Sequence, residues 1–366
     1  MASTTRLFQP MQVGPLQLKH RIVLAPLTRC RAGNPGHVPH NPLMKEYYTQ
    51  RASTPGTLLI TEATHIAPRA SGVPHIPGIW SEEQIAAWKQ ITDSVHDAGS
   101  YIFLQVWAMG RAADPNGLRM EDPSLPYVSA SNVNLGRIQE APRPLTVAEI
   151  QEYVELFRQA AKNAVRAGFD GTSGANGYLI DQFTQDVTNR RSDDYGGSVQ
   201  NRVRFAMKVI GAVANAIGAN RTAIRISPCS TFNEMRMVDP VPTFAHLVSE
   251  IKTLYPDLAY LHLIEPRVSG DDDATEMQPP DSNDFLREIW GPNKIISAGG
   301  YTRESAIVRA EANANEAICF GRAFLANPDL PLRLLKDLPL NKADRATFYK
   351  FESVDGYTDY PSNSPR

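Results

Sequence analysis

The chain has 366 residues, 42% of them hydrophobic and 21% charged, enough to bury one large core of barrel size. A formal net charge of -2 and an isoelectric point near 6.5 argue against nucleic acid or an anionic membrane as partner, since both select basic surfaces. Cys30, Cys229 and Cys319 lie far apart and fit neither a metal spacing nor a disulfide framework; the expectation is no bound metal and a reducing compartment, the cytoplasm. Met1 to Pro10 lacks the apolar core of a secretory signal, no apolar run approaches membrane-spanning length, and the final Ser364-Pro365-Arg366 is not the peroxisomal tripeptide.

Phe8 to Leu18 reads as a hairpin turning at Gly14-Pro15, and Arg21-Ile22-Val23-Leu24-Ala25 as a first buried strand. Leu58 to Thr61 and Tyr101 to Gln105 are the second and third strands. Between them Ser81-Glu82-Glu83-Gln84 is a capping box that opens a helix, which Gly99 stops. Thr146-Val147-Ala148-Glu149 is another, opening a helix whose Ile150, Tyr153, Val154, Phe157 and Ala161 share one face up to Gly168. Further strands follow at Phe169 to Ser173, Thr222 to Ile226, Ala259 to Leu263, Lys294 to Ala298 and Ala317 to Phe320. About eight strands separated by helical patterns predict an α/β fold, a (β/α)8 TIM barrel with an N-terminal hairpin, as one domain over residues 1–366. A doubly wound sheet is the alternative, but its glycine motif usually follows the first strand.

In this chain the glycines come late. Ile295 to Ala298 ends in Gly299-Gly300, and Ala317 to Phe320 ends in Gly321-Arg322. Glycine after a buried strand lets backbone N–H groups approach a ligand, and the following helix start favours an anion. The last two strand ends are where a (β/α) barrel binds phosphate; ordinary turn glycines are the competing reading. Arg225 lies inside the apolar run Ala223-Ile224-Arg225-Ile226, where a charge needs a partner. That partner is either an anionic ligand or a structural carboxylate.

Six segments together resemble the old yellow enzymes: Ala25-Pro26-Leu27-Thr28-Arg29, Leu59-Ile60-Thr61-Glu62-Ala63, Gln105-Val106-Trp107, Gly177-Tyr178-Leu179-Ile180-Asp181-Gln182-Phe183, Tyr195-Gly196-Gly197-Ser198 and Gly356-Tyr357-Thr358-Asp359-Tyr360-Pro361. The wording is similar to fungal members, including those of ergot-alkaloid pathways, and to the 12-oxophytodienoate reductases. The resemblance runs nearly end to end. It implies a barrel that holds FMN non-covalently and reduces the C=C bond of α,β-unsaturated carbonyl compounds with electrons from NAD(P)H.

By that resemblance Thr28 bonds the flavin near N5, Gln105 its pyrimidine edge, and Arg225 faces the negative charge that develops at N1 on reduction. Gly299, Gly300, Gly321 and Arg322 hold the phosphate, and Pro26, Leu27 and Ala63 line the isoalloxazine. Tyr178 matches the proton donor to the substrate's α-carbon, and Trp107 and Tyr349 shape the pocket above the flavin. Taken without their motifs, Thr28 is equally a strand-end cap, Gln105 a core amide, and the three aromatics packing residues.

The chain departs from the family at the fourth strand. Relatives typically read Gly-Val-Glu-Ile-His-Gly-Ala-Asn or -His there, whereas Gly171-Thr172-Ser173-Gly174-Ala175-Asn176 is two residues shorter and has no histidine. Asn176 matches the second of two donors to the substrate carbonyl, and Ser173 takes the place of the first. An even deletion preserves which side chains face the barrel interior, while removing about 6–7 Å of strand. A weakened reductase, a non-reductive isomerase or cyclase, and a flavin-binding protein with little catalysis are the readings this leaves.

Overall fold

The computed structural model describes residues 5–270, 272–273 and 281–362. Met1 to Thr4 and Ser364-Pro365-Arg366, on which the signal and targeting readings partly rest, lie outside them. Eight parallel strands close into a barrel in chain order: β1 (Ile22–Leu24), β2 (Leu58–His65), β3 (Tyr101–Trp107), β4 (Gly171–Gly174), β5 (Thr222–Ile226), β6 (Tyr260–Ile264), β7 (Ile295–Ala298) and β8 (Glu316–Phe320), with β8 pairing back onto β1. Helices follow the strands on the outside: α1 (Leu43–Arg51), α2 (Glu82–Asp97), α3 (Val147–Arg166), α4 (Val199–Ile217), α5 (Val241–Leu254), α6 (Asp284–Trp290), α7 (Arg303–Ala312) and α8 (Leu330–Lys336). The (β/α)8 expectation holds.

Local chemistry explains several boundaries. Ser81 and Thr146 each accept a hydrogen bond from the backbone three residues on, while the side chains of Gln84 and Glu149 reach back to the cap N–H, completing both capping boxes. On α3 Ile150, Tyr153, Phe157 and Ala161 are buried, the face that the 3.6-residue period predicts. The hairpin pairs Met11–Val13 with Leu16–Leu18 across Gly14. Its Met11, Val13, Leu16 and Leu18 join Val23, Ile60, Tyr260 and Ile296 in one cluster, so the hairpin plugs the N-terminal end of the barrel.

Two irregularities decide what reaches the opposite end. In β2 the register slips between Ile60 and Ala63. That slip leaves Ala63 on the cavity wall while Glu62 meets the Tyr48 hydroxyl and the Arg29 backbone N–H. Strand β4 begins two residues later than its apolar pattern indicates and keeps the even register, Ser173 standing opposite Gln105 and Ala223. Its start is packed too tightly for any side chain at Gly171: a Cβ there would lie 2.4 Å from the Phe103 ring and 2.3 Å from the Arg221 carbonyl oxygen. Phe103 is packed in the barrel interior, its ring centroid 5.4 Å from that of Tyr260. Gly171→Ala is therefore expected to destabilise the protein by about 1–3 kcal/mol through overpacking, read as a lower midpoint in chemical denaturation. An unchanged midpoint would show that the interior can yield at this strand.

Candidate active site

The C-terminal ends of all eight strands converge on one cavity of about 500 Å³. From β1 and the turn after it come Pro26, Leu27, Thr28 and Arg29; from β2, Ala63; from β3, Gln105 and Trp107. The turn after β4 supplies Asn176 and Tyr178, β5 supplies Arg225, and the loop beyond it Ser230 and Phe232. Gly299 and Gly300 after β7, Gly321 and Arg322 after β8, and Phe348 and Tyr349 from the C-terminal segment complete the wall. Among the described residues the lining carries three arginines and no aspartate or glutamate.

Several buried polar atoms of this wall lack protein partners. Gln105 Nε2, Trp107 Nε1 and Arg225 Nε are buried without a hydrogen bond, a state native structures seldom leave to protein alone. Burial pulls the Arg225 guanidinium down to about 10, so it remains charged at neutral pH. The neighbouring Cys319 thiol is pushed up to about 12 by burial and supplies no counter-charge. A ligand with an anionic edge and amide-like acceptors would satisfy Arg225 and Gln105 together.

At the other side of the cavity the backbone is shaped for close approach. Gly299 and Gly300 have φ of 135° and 59°, and a Cβ on Gly299 would lie 2.9 Å from Glu265 Cβ. Arg267 donates to the Gly299 carbonyl from Nε at 3.0 Å and Nη2 at 2.6 Å while its guanidinium covers the Tyr301 ring, fixing this turn from behind. Arg322 stands at the start of the short helix Arg322–Ala326. Both ends therefore fit FMN: an uncrowded glycine turn with arginine for its phosphate, and donors with a buried cation for its pyrimidine edge.

Above this floor, Tyr178 packs edge-on against Trp107, ring centroids 4.6 Å apart, and against Phe232 at 6.1 Å. Burial pushes its hydroxyl up to about 12, so it keeps its proton at neutral pH. Asn176 Nδ2 donates to Ser227 Oγ at 2.8 Å, which sets the plane of its amide. The Gly177 N–H donates to Asp181 Oδ2 at 2.9 Å, and Gln185 holds the other oxygen; burial raises that carboxyl to about 6.

One expected residue is misplaced. Ser173 does not line the cavity: it is fully buried, and its Oγ faces the Tyr260 hydroxyl inside the barrel without a well-formed hydrogen bond. The direction of the side chain is as the even deletion predicts, but a serine is too short to reach the cavity from that level. The expectation that Ser173 replaces the missing carbonyl donor is corrected. Residues that sequence reasoning passed over are Ser227, Phe232, Asn233, Arg267 and Phe348. Ser227-Pro228 directly after a buried strand was a usable signal, whereas the loop residues carried none.

An arginine-bearing cavity with no carboxylate among its described lining residues, at the C-terminal end of a parallel barrel, suits a phosphate-bearing flavin, the cofactor of the FMN-dependent oxidoreductases. A family model described as NADH:flavin oxidoreductase / NADH oxidase matches residues 6–341, and the chain belongs to that family; its cofactor is FMN and its electron donor NAD(P)H. The chain is similar to the NADP-dependent oxidoreductase lnbE of Aspergillus flavus, 50% identical over 98% of this chain and 96% of that protein. It is equally similar, 50% identical over 97% and 96%, to the chanoclavine-I aldehyde reductase fgaOx3 of Penicillium roqueforti. A third relative, 46% identical over 98% and 96%, is a probable inactive reductase, easA of Epichloe festucae var. lolii. Among solved structures, the old yellow enzyme from Pichia sp. AKU4542 superposes with a TM-score of 0.91 at 34% identity, covering 100% of this chain and 96% of that one. No helix among the described residues is long and apolar enough to cross a membrane.

Gly299→Ala is expected to weaken FMN binding at least about tenfold, about 1.4 kcal/mol, because alanine can neither adopt this φ freely nor avoid Glu265. Titration of apoprotein into FMN, followed by quenching of flavin fluorescence, measures it. Parent-like affinity would remove the glycine turn from the FMN site.

Proposed function

We propose that the protein reduces the C=C bond of α,β-unsaturated carbonyl compounds with NAD(P)H, in a single FMN-binding domain. The observation that carries this reading is the placing of a protonated Tyr178 and the Asn176 amide on one wall of the cavity, facing a floor built for a flavin. Thr28, Gln105 and Arg225 would hold the isoalloxazine, lined by Pro26, Leu27 and Ala63; Gly299, Gly300, Gly321 and Arg322 would hold the phosphate. FMN held there would supply hydride-transfer chemistry, with NAD(P)H as the hydride source and the substrate's β-carbon as the acceptor. Asn176 donates a hydrogen bond to the carbonyl oxygen, where negative charge builds. Tyr178 gives its proton to the α-carbon; the O–H bond breaks as the C–H bond forms, and solvent restores the proton. Trp107 and Tyr349 bound the space above the ring. Three free cysteines suit a reducing compartment, and we infer the cytoplasm.

A second reading has its own observation. With no histidine in β4 and Ser173 outside the wall, Asn176 in the turn after it is the carbonyl donor that remains of the expected pair, and loss of one preorganised donor slows such reactions on the order of 100-fold or more. An FMN protein with impaired reduction, acting as a non-reductive isomerase or cyclase or only binding flavin, follows from that.

Two experiments separate the readings. Tyr178→Phe should leave flavin reduction by NADPH within about twofold of the parent and slow reoxidation by an enone by about two orders of magnitude; unchanged rates in both half-reactions would remove Tyr178 from the role. Replacing Thr172-Ser173 by Val-Glu-Ile-His should raise enone-driven reoxidation by about one to three orders of magnitude. A replaced protein that is no faster, starting from a slow parent, would favour the non-reductive reading.

A further inference from the structure

The loop after β5 bends through an unusual backbone path beside Tyr178. Asn233, Glu234 and Arg236 all have positive φ, at 58°, 53° and 96°, in a stretch with no glycine. Left-handed conformations at non-glycine residues are held only where surroundings enforce them, and they concentrate at functional sites. For Asn233 and Glu234 the enforcing group is Arg111, which is buried. Its Nη2 donates to the Asn233 carbonyl at 2.7 Å and the Glu234 carbonyl at 3.2 Å, while Nη1 holds the Asn134 carbonyl at 2.9 Å. Gly136 N–H donates to Glu234 Oε1 at 2.8 Å. Two loops are thus clamped together over the cavity.

The effect of the clamp is to place one side chain. Asn233 Nδ2 donates to the Gly177 carbonyl at 3.2 Å, one residue before Tyr178, and so stands beside the Tyr178 side chain, where the amide opposes the upward push of burial on the hydroxyl. Phe232 meanwhile packs on the Tyr178 ring. Arg137 Nη2 approaches Asn233 Oδ1 at 3.4 Å, which orients the amide with its N–H groups toward the tyrosine. The charges that act on the hydroxyl are Arg137 and Arg225; Asp181 is engaged with the Gly177 N–H and Glu234 with the Gly136 N–H.

Resting on the assignment of Tyr178 as proton donor, we propose that Asn233 is its positioning residue: the amide N–H holds the hydroxyl oxygen, fixes the direction of its proton, and stabilises that oxygen once the proton has gone to the α-carbon. The transfer leaves the electron pair of the broken O–H bond on oxygen, so a donor already aimed there lowers the barrier to this step and does not touch the earlier one. A hydrogen bond to a charged oxygen is the strong kind, and its removal from a buried site slows the step by about one to two orders of magnitude.

The test uses FMN-loaded protein with NADPH as reductant and 2-cyclohexen-1-one as the probe enone. Asn233→Gly keeps the left-handed backbone and removes the amide; Asn233→Asp keeps shape and backbone tolerance but sets a carboxylate beside the hydroxyl. Flavin reduction should stay within about twofold of the parent in both, while reoxidation should slow about tenfold for Asn233→Gly and more for Asn233→Asp, with KM for the enone little changed. A second readout needs no turnover: in protein labelled with 3-fluorotyrosine, the 19F resonance missing from Tyr178→Phe is that of Tyr178. Its titration midpoint should rise by about one pH unit in Asn233→Asp. A merely structural asparagine would leave the isosteric aspartate variant at least as fast as the glycine variant and the midpoint unmoved, and either result overturns the proposal. If Tyr178→Phe itself reoxidises at the parent rate, the donor assignment has failed; if it is slow while both Asn233 variants keep the parent rate, only the present inference has.

Discussion

Three buried arginines hold the active-site end of this barrel together. Arg29, Arg31 and Arg51 are at most 1% exposed, and they are matched chiefly by backbone carbonyls of the C-terminal segment. Arg29 donates to the Phe348 and Gly356 carbonyls, Arg31 to those of Thr347, Phe348, Ser353 and Asp355, and Arg51 to that of Tyr357. The Tyr357 ring stacks on Tyr47 at 4.2 Å and lies under the Arg29 and Arg31 guanidiniums. Glu62, released to this side by the slip in β2, sits among them; burial raises its carboxyl to about 7 in spite of Arg29 and Arg31. Breaking a buried charge's contacts typically costs about 3–5 kcal/mol, so the segment cannot leave without stranding the guanidiniums. Phe348 and Tyr349 are thereby kept beside Thr28 at the cavity wall.

The same electrostatic asymmetry runs into the cavity. A wall with arginines and no carboxylates among its described residues has a standing demand for an anion, which a flavin phosphate and a reduced isoalloxazine both meet. Beneath it the barrel interior stays uncharged. His262, level with Arg225 in the neighbouring strand, is fully buried and held well below the usual histidine range by desolvation and by that arginine, and Cys319 keeps its proton. Arg225 is thus left as the cation facing upward.

The short fourth strand shows how a barrel absorbs a deletion. Closure requires only that β4 keep its register with both neighbours, which Gln105–Ser173–Ala223 does. At its start Gly171 packs without a side chain against Phe103 of β3 and the Arg221 carbonyl oxygen. What the fold does not restore is reach: the inward-facing side chain at the vacated level stops below the cavity. Stability and catalysis are separated at this strand, and the reaction depends on Asn176, Tyr178 and the loop that touches them.

Much of this was legible in the sequence because it is governed by local chemistry. Periodicity and capping boxes placed α2 and α3, apolar runs placed the strands, and late glycines after β7 and β8 marked the phosphate end; these signals arise from neighbours within a few residues. Thr28, Gln105 and Tyr178 are legible only through the resemblance of their motifs, and Arg225 also as a charge inside an apolar strand; the fold brings all four to one cavity. Tertiary structure alone decided the rest. Whether Ser173 reaches the cavity depends on side-chain length measured against the curvature of a closed barrel, and whether Arg225 meets a carboxylate depends on strands far apart in the chain. Asn233 beside Tyr178 depends on Arg111, 122 residues away, holding two loops in backbone conformations that no local pattern announces, since left-handed asparagine is selected by what surrounds it rather than by what precedes it.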